Sequence, residues 1–132
     1  MPRAIWTFRC YRSERDVDEI RAWYDKQPAE VRGRFLSRLK TLSQLRPNEW
    51  NLPYFRRLHG ECEGIGEIRF EVRRTQHRPL GFQTGLVFTL TICAKEVNNR
   101  FVPKNACATA LGRKEAIQNH KERSHACWLV LE

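Results

Sequence analysis

Apolar positions along this 132-residue chain change their period several times, and each change marks an element. Residues 4–11, AIWTFRCY, are aromatic and branched and predict a first strand. Ser13 followed by Asp16 has the form of a helix cap. Val17, Ile20, Trp23 and Tyr24 then recur at helical spacing, so a helix should run to about Gln27. Pro28 suits the first turn of a second helix, in which Val31, Phe35, Leu39 and Leu42 form one stripe until Arg46 and Pro47 end it. These two helices read as a hairpin.

Beyond the proline-bearing stretch PNEWNLPY the period shortens to two. YFRRLH, GEIRFEVRR, HRPLGF and LVFTLTICAK read as four antiparallel strands joined by short turns. Helical composition returns in VPKNACATALGRKEAIQNHKER, weakened by Gly112, and ACWLVL at the end fits either a short edge strand or an apolar tail. No repeat or low-complexity linker interrupts the order. The chain therefore reads as one α+β domain over residues 1–132, with 124–132 as an extra edge strand or tail. An N-terminal strand and a helical hairpin should pack on a mainly antiparallel sheet of four to five strands, with a helix near the C-terminus.

Charge narrows the class of partner. Lys and Arg number 24 against 15 Asp and Glu, a formal net charge of +9, and 18 of the cations are arginine. The guanidinium fork grips phosphate or carboxylate with two hydrogen bonds at once, which fits polyanion recognition, although GC-rich coding produces the same bias. Five of these cations and no acid lie from Val31 to Arg46, giving the second helix a basic outer face. The N-terminus lacks a signal-peptide core and no apolar run approaches membrane-span length. Five cysteines, Cys10, Cys62, Cys93, Cys107 and Cys127, are an odd number without a close pair, so no disulfide framework is expected and the reading is of a reducing cytoplasmic protein.

The segment LHGECEGIGEIRFEVRR, residues 58–74, carries the richest candidate chemistry. Gly64 and Gly66 suggest a dinucleotide loop, but Arg69 takes the third glycine position and a strand follows where the phosphate needs a helix N-terminus. His59 with Cys62, and His125 with Cys127, would each make half a zinc site, yet the paired short spacings of structural zinc are missing, so buried cysteines and surface histidines are expected. Alternation remains: Ile68, Phe70 and Val72 point one way, and Glu67, Arg69, Glu71 and Arg73 the other. One face should meet the helices while the other displays charge, either as a binding surface or as a solvated face with cross-strand ion pairs.

Across residues 56–113 the sequence resembles the RelE/HigB superfamily of toxin–antitoxin systems, in particular its HigB-like, phage-derived branch. The resemblance rests on Leu58 and Gly60 in RLHG, Gly64, the EIR of Glu67, Ile68 and Arg69, Arg78 in HRPLGF, and Lys95 in ICAK. It continues with Pro103, Ala110 and Arg113 in VPKNACATALGR. It implies a toxin that cleaves messenger RNA on the ribosome without metal or other cofactor and is silenced by a cognate antitoxin, a partner that in this family often binds DNA. The chemistry aligns a ribose 2′-hydroxyl with the adjacent phosphate, removes its proton and stabilises the pentacoordinate transition state, much of which fixed cations can supply.

By family position, Arg78 would be the phosphate clamp, Arg69 and Lys95 would complete the charged face, and Arg56, Arg57 and Arg73 would hold the RNA backbone. His59 is a candidate proton carrier, and His120 and His125 are the candidates for the family's C-terminal catalytic residue. Two departures stand out. Pro79 beside Arg78 removes a backbone donor and predicts an edge or a bulge, and Glu96 after Lys95 lowers the local positive charge. Two other classes stay open: a non-catalytic RNA- or ribosome-binding module, and a phage-derived component whose cations meet an acidic protein.

Overall fold

The computed structural model describes residues 3–129. Strand β1, Thr7–Tyr11, leads through a turn to helix α1, Glu19–Asp25. The cap is Asp18, whose Oδ1 accepts from the backbone N–H groups of Ile20 and Arg21 at 3.0 and 2.8 Å. The expected Ser13–Asp16 pair instead forms the preceding turn, with the Asp16 N–H donating to the Ser13 carbonyl at 2.9 Å. Pro28 then opens helix α2, Ala29–Ser43. Its predicted stripe of Val31, Phe35, Leu39 and Leu42 is buried throughout, and each such side chain contributes roughly 1.5–3 kcal/mol by leaving water.

The remaining strands are β2 Phe55–Arg57, β3 Gly66–Ile68, β4 Phe70–Val72, β5 Thr75–Thr84, β6 Val87–Val97, β7 Arg100–Val102 and β8 Ser124–Ala126, with helix α3, Ala106–Asn119, before the last. The fold is α+β, as expected, but among the described residues the sheet has eight strands rather than four or five. Its main path runs β2-β3-β5-β6-β1-β8, with β4 on β5 and β7 on β6. The N-terminal strand is not packed on this sheet. It lies within it, parallel to β6, while every other pairing is antiparallel. The C-terminal segment begins as an edge strand on β1, and the last residues of ACWLVL, 130 and 131, fall outside the described residues.

Two irregularities decide which side chains share a face. Thr91 is an extra residue in β6, between Ile92 opposite Leu80 and Leu90 opposite Gly81, and its hydroxyl donates to the Leu80 carbonyl at 2.9 Å. A bulge of one residue resets the alternation. Phe88 and Leu90 therefore join the core under α1 and α2, whereas Ile92 and Ala94 join the second core under α3.

The other irregularity is Pro79. Glu67 pairs with Leu80 and Phe70 with His77, so Pro79 stands level with Ile68, and it offers that neighbour no N–H. Residues 66–74, which read from sequence as one strand, split there into β3 and β4, and Arg73 and Arg74 form the turn to β5. Pro79 therefore marks neither a sheet edge nor a bulge of its own, because β5 is flanked on both sides.

Contrary to the expectation of unpaired cysteines, Cys10 is joined to Cys127 and Cys62 to Cys107, leaving Cys93 free. The partners lie 117 and 45 residues apart in sequence and meet only because β8 returns to β1 and α3 packs over the loop after β2. Among the described residues, no helix is long and apolar enough to cross a membrane.

Candidate functional site

Glu67 does not join the exposed charged row that alternation predicts. It is 0% exposed, and three arginines converge on its Oε2. Arg69 hydrogen-bonds to it, Arg56 Nε lies 3.1 Å away, and Arg78 Nε lies 4.0 Å away. Strand register makes the convergence: Arg56 pairs with Glu67 across β2 and β3, and Glu67 pairs with Leu80, two residues from Arg78 on the same face of β5. Burying a carboxylate this deeply is costly unless cations surround it, and here three do.

Arg78 is itself 3% exposed, and each of its guanidinium nitrogens has a protein acceptor. Its Nε donates to Glu96 Oε1 at 3.0 Å, Nη1 to the His77 carbonyl at 2.9 Å, and Nη2 to Gln76 Oε1 at 3.2 Å. Glu96, expected to lower the positive charge beside Lys95, is thus the direct partner of Arg78.

Next to this cluster opens a cleft of about 430 Å³ lined by Arg38, Arg69, Arg78, Gln76, Leu52 and Pro53. The split between β3 and β4 shapes it. Arg69 directs its N–H to the Tyr54 carbonyl at 2.9 Å, and its own carbonyl accepts from the Arg38 guanidinium, which lies over the Tyr54 ring at 4.4 Å. Burial lowers the Arg38 pKa from its ordinary value. Around the cleft and cluster, Arg38, Arg56, Arg69 and Arg78 face Glu67, Glu71 and Glu96, four cations against three anions. The surface is an ion network that is nearly neutralised, with one net positive charge.

Other predicted site residues are dispersed. Arg78 is level with Ala94 while Lys95 is level with His77, so Lys95 lies on the opposite face of the sheet from Arg78 and cannot complete its charged surface. Arg57 is exposed, with its guanidinium 5.6 Å from the Phe55 ring centre. Arg73 pairs with Glu30 at 2.8 Å on the α2 side. His59 is exposed, 3.7 Å from Glu63, and lines a separate cleft of about 480 Å³ with Arg56, Arg57 and the Cys62–Cys107 disulfide. His120 is exposed near Glu122 at 3.8 Å.

His125 Nε2 lies 2.7 Å from Oδ2 of Asp18, tying β8 to the start of α1, which is a structural role. Arg113, matched to the family pattern, donates to the Thr91 carbonyl at 2.9 Å and so braces the bulge. Both suggested zinc half-sites are closed, because Cys62 and Cys127 are in disulfides.

Sequence reasoning missed Arg38 and Gln76 as cleft residues and Glu67 as the organising anion. The basic run of α2 was the available signal for Arg38. Nothing local distinguished Glu67 from Glu71, which is exposed. Compared with protein-family models, with curated proteins and with solved structures, the chain finds no match.

Proposed function

We propose that this chain is the toxin of a toxin–antitoxin pair, a RelE/HigB-like endoribonuclease that acts without metal on messenger RNA in the ribosome. The observation that carries the reading is the convergence of Arg56, Arg69 and Arg78 on the buried Glu67 beside an open cleft. Glu67 holds these guanidiniums in place before any ligand arrives. A phosphate entering the cleft meets positioned donors from Arg38 and Arg69, so less ordering entropy is lost when it binds. In this reading Arg69 contacts the reacting phosphate, Arg56 guides the RNA backbone, and Arg78 is a positioning residue. The cognate antitoxin would cover the same cleft and keep RNA out.

A second reading has specific support. Each guanidinium nitrogen of Arg78 already donates to a protein acceptor, and His59, His120 and His125 each pair with a carboxylate elsewhere, so the cluster lacks a histidine to carry the proton. A ribosome- or RNA-binding module that does not cut fits these facts. Mapping 5′ ends of a reporter message in a translating extract separates the two. Codon-phased cleavage by wild type that is lost in Arg69→Ala supports the toxin. Salt-sensitive RNA binding without cleavage supports the binding module.

A further inference from the structure

Two hairpins end side by side at one edge of the molecule, and they close with different residues. Val72 pairs with Thr75 and Val97 with Arg100, so each turn has two central residues. In both turns the two central residues take positive φ, as a tight hairpin matched to strand twist requires. The β6–β7 turn uses Asn98 and Asn99, at φ 51° and 62°, a residue type that tolerates this region. The β4–β5 turn uses Arg73 and Arg74, at φ 48° and 69°. Arginine has no local compensation there, since its Cβ crowds the following carbonyl. Glycine or asparagine would close the same hairpin with less strain, so the fold does not call for arginine at either place. The guanidiniums are what the strained turn retains.

A cleft of about 470 Å³ lies between this turn and the junction of α1 and α2, lined by Arg73, Thr75, His77, Lys95, Glu30 and Gln27. It is on the opposite face of β5 from Arg78 and Glu67. His77 is 2% exposed, stacked on Phe70 at 4.9 Å, and its Nδ1 has no hydrogen-bond partner. Lys95 is exposed and, among the described residues, neither Lys95, Arg74 nor Arg100 has an ion-pair partner. Arg73 is held by Glu30 alone, with its side chain 84% exposed. Here three cations, Arg73, Arg74 and Lys95, stand against one anion, Glu30, whereas four stand against three around Glu67.

We propose that this end of the sheet, the Arg73–Arg74 turn with Lys95 and the cleft between them, is a second polyanion site that binds RNA backbone phosphates. The proposal rests on the reading of RNA as the target but not on cleavage. Lys95 and Arg74 supply unpaired donors, Arg73 exchanges Glu30 for phosphate, and Thr75 adds an uncharged hydroxyl at the cleft. A message spanning both sites would wrap the β4–β5 hairpin and meet Arg69 on one face and Lys95 on the other.

The test uses the full chain and a fluorescein-labelled single-stranded RNA of mixed sequence, with anisotropy read across a potassium chloride series and thermal melting measured in parallel. R73G/R74G should melt higher by about 2–6 °C, because the turn relaxes. It should also bind RNA about tenfold more weakly, with a shallower salt dependence corresponding to roughly two lost phosphate contacts. R73K/R74K keeps charge and strain together, so it should keep the wild-type melting temperature and most of the affinity. Lys95→Gln should weaken binding with no change in melting, and N98G/N99G should leave affinity unaltered.

Wild-type affinity and salt slope in both R73G/R74G and Lys95→Gln would overturn the proposal, as would a wild type that does not bind the RNA. If those two variants bind normally while Arg69→Ala abolishes phased cleavage, the second site fails and the toxin reading stands. Weakened binding in the turn variants, with no cleavage by wild type, has the opposite meaning.

Discussion

Glu67 and Arg78 face each other from neighbouring strands with Oε2 4.0 Å from Nε, and neither side chain has meaningful access to water. Arg56 and Arg69 complete the neutralisation, and Glu96 takes the other side of Arg78. Removing the central anion leaves the buried Arg78 with one carboxylate partner and the two flanking arginines with none at this point. Glu67→Ala should destabilise the fold by about 3–5 kcal/mol, the usual result of breaking a buried ion pair on one side. Equilibrium urea unfolding measures it. A loss below 1 kcal/mol would mean that water reaches the cluster.

The two disulfides should stabilise unequally. Closing 117 residues between Cys10 and Cys127 removes more freedom from the unfolded chain than closing 45 between Cys62 and Cys107, about 5 against about 4 kcal/mol on the chain-entropy account. C10S/C127S should therefore unfold at the lower urea concentration of the two pairs. Native alkylation should modify at most Cys93, and that slowly, because the other four are bonded and burial raises the Cys93 thiol pKa. Rapid labelling of more than one cysteine would show that the bridges are absent in solution.

Much of this architecture was legible because periodicity is a local property. The stripe from Val31 to Leu42 could bury only one helix face, and the branched and aromatic run LVFTLTICAK reads as a strand. What escaped depends on register. Alternation predicts which residues of one strand share a face, but not which residue stands opposite, so Arg78 and Lys95 looked like neighbours until Ala94 proved to be the partner of Arg78. The Thr91 bulge and the break at Pro79 each arise from a relation between two strands. The same holds for Glu67, whose burial follows from three arginines arriving from β2, the β3–β4 break and β5. Cysteine pairing across 117 residues is likewise a product of the fold, with no spacing signal to announce it.

Gly81 sits where β3, β5 and the bulged part of β6 meet. A Cβ added there would stand 2.2 Å from the Thr89 carbonyl oxygen and 2.6 Å from a Phe88 ring carbon. Backbone cannot yield at such a distance without losing ladder hydrogen bonds, so Gly81→Ala should cost about 3 kcal/mol. Gly112 in α3 has no atom within 4 Å of the same position. Gly112→Ala should accordingly stabilise the protein by about 0.5–1 kcal/mol through helix propensity. Thermal melts of the two variants should move in opposite directions, and equal shifts would contradict the packing at the bulge.

His77 sets a pH dependence with a definite sign. Burial against Phe70 and Trp23 lowers its pKa, and the positive charges of Lys95 and Arg78 lower it further. The folded protein thus resists protonation that the unfolded chain accepts near pH 6.5. Above that value both states hold a neutral imidazole and His77 contributes no pH dependence. As the pH falls below it, only the unfolded chain gains the proton, so stability declines until the depressed folded pKa is reached, at up to about 1.4 kcal/mol per pH unit. His77→Phe keeps a flat ring against Phe70 and cannot titrate. Urea midpoints between pH 7 and pH 5 should fall for wild type and fall less for the variant, the difference being the contribution of this one ring. If the two profiles run parallel, protonation of other groups governs the acid limb and the His77 cleft is open enough to hydrate the imidazolium.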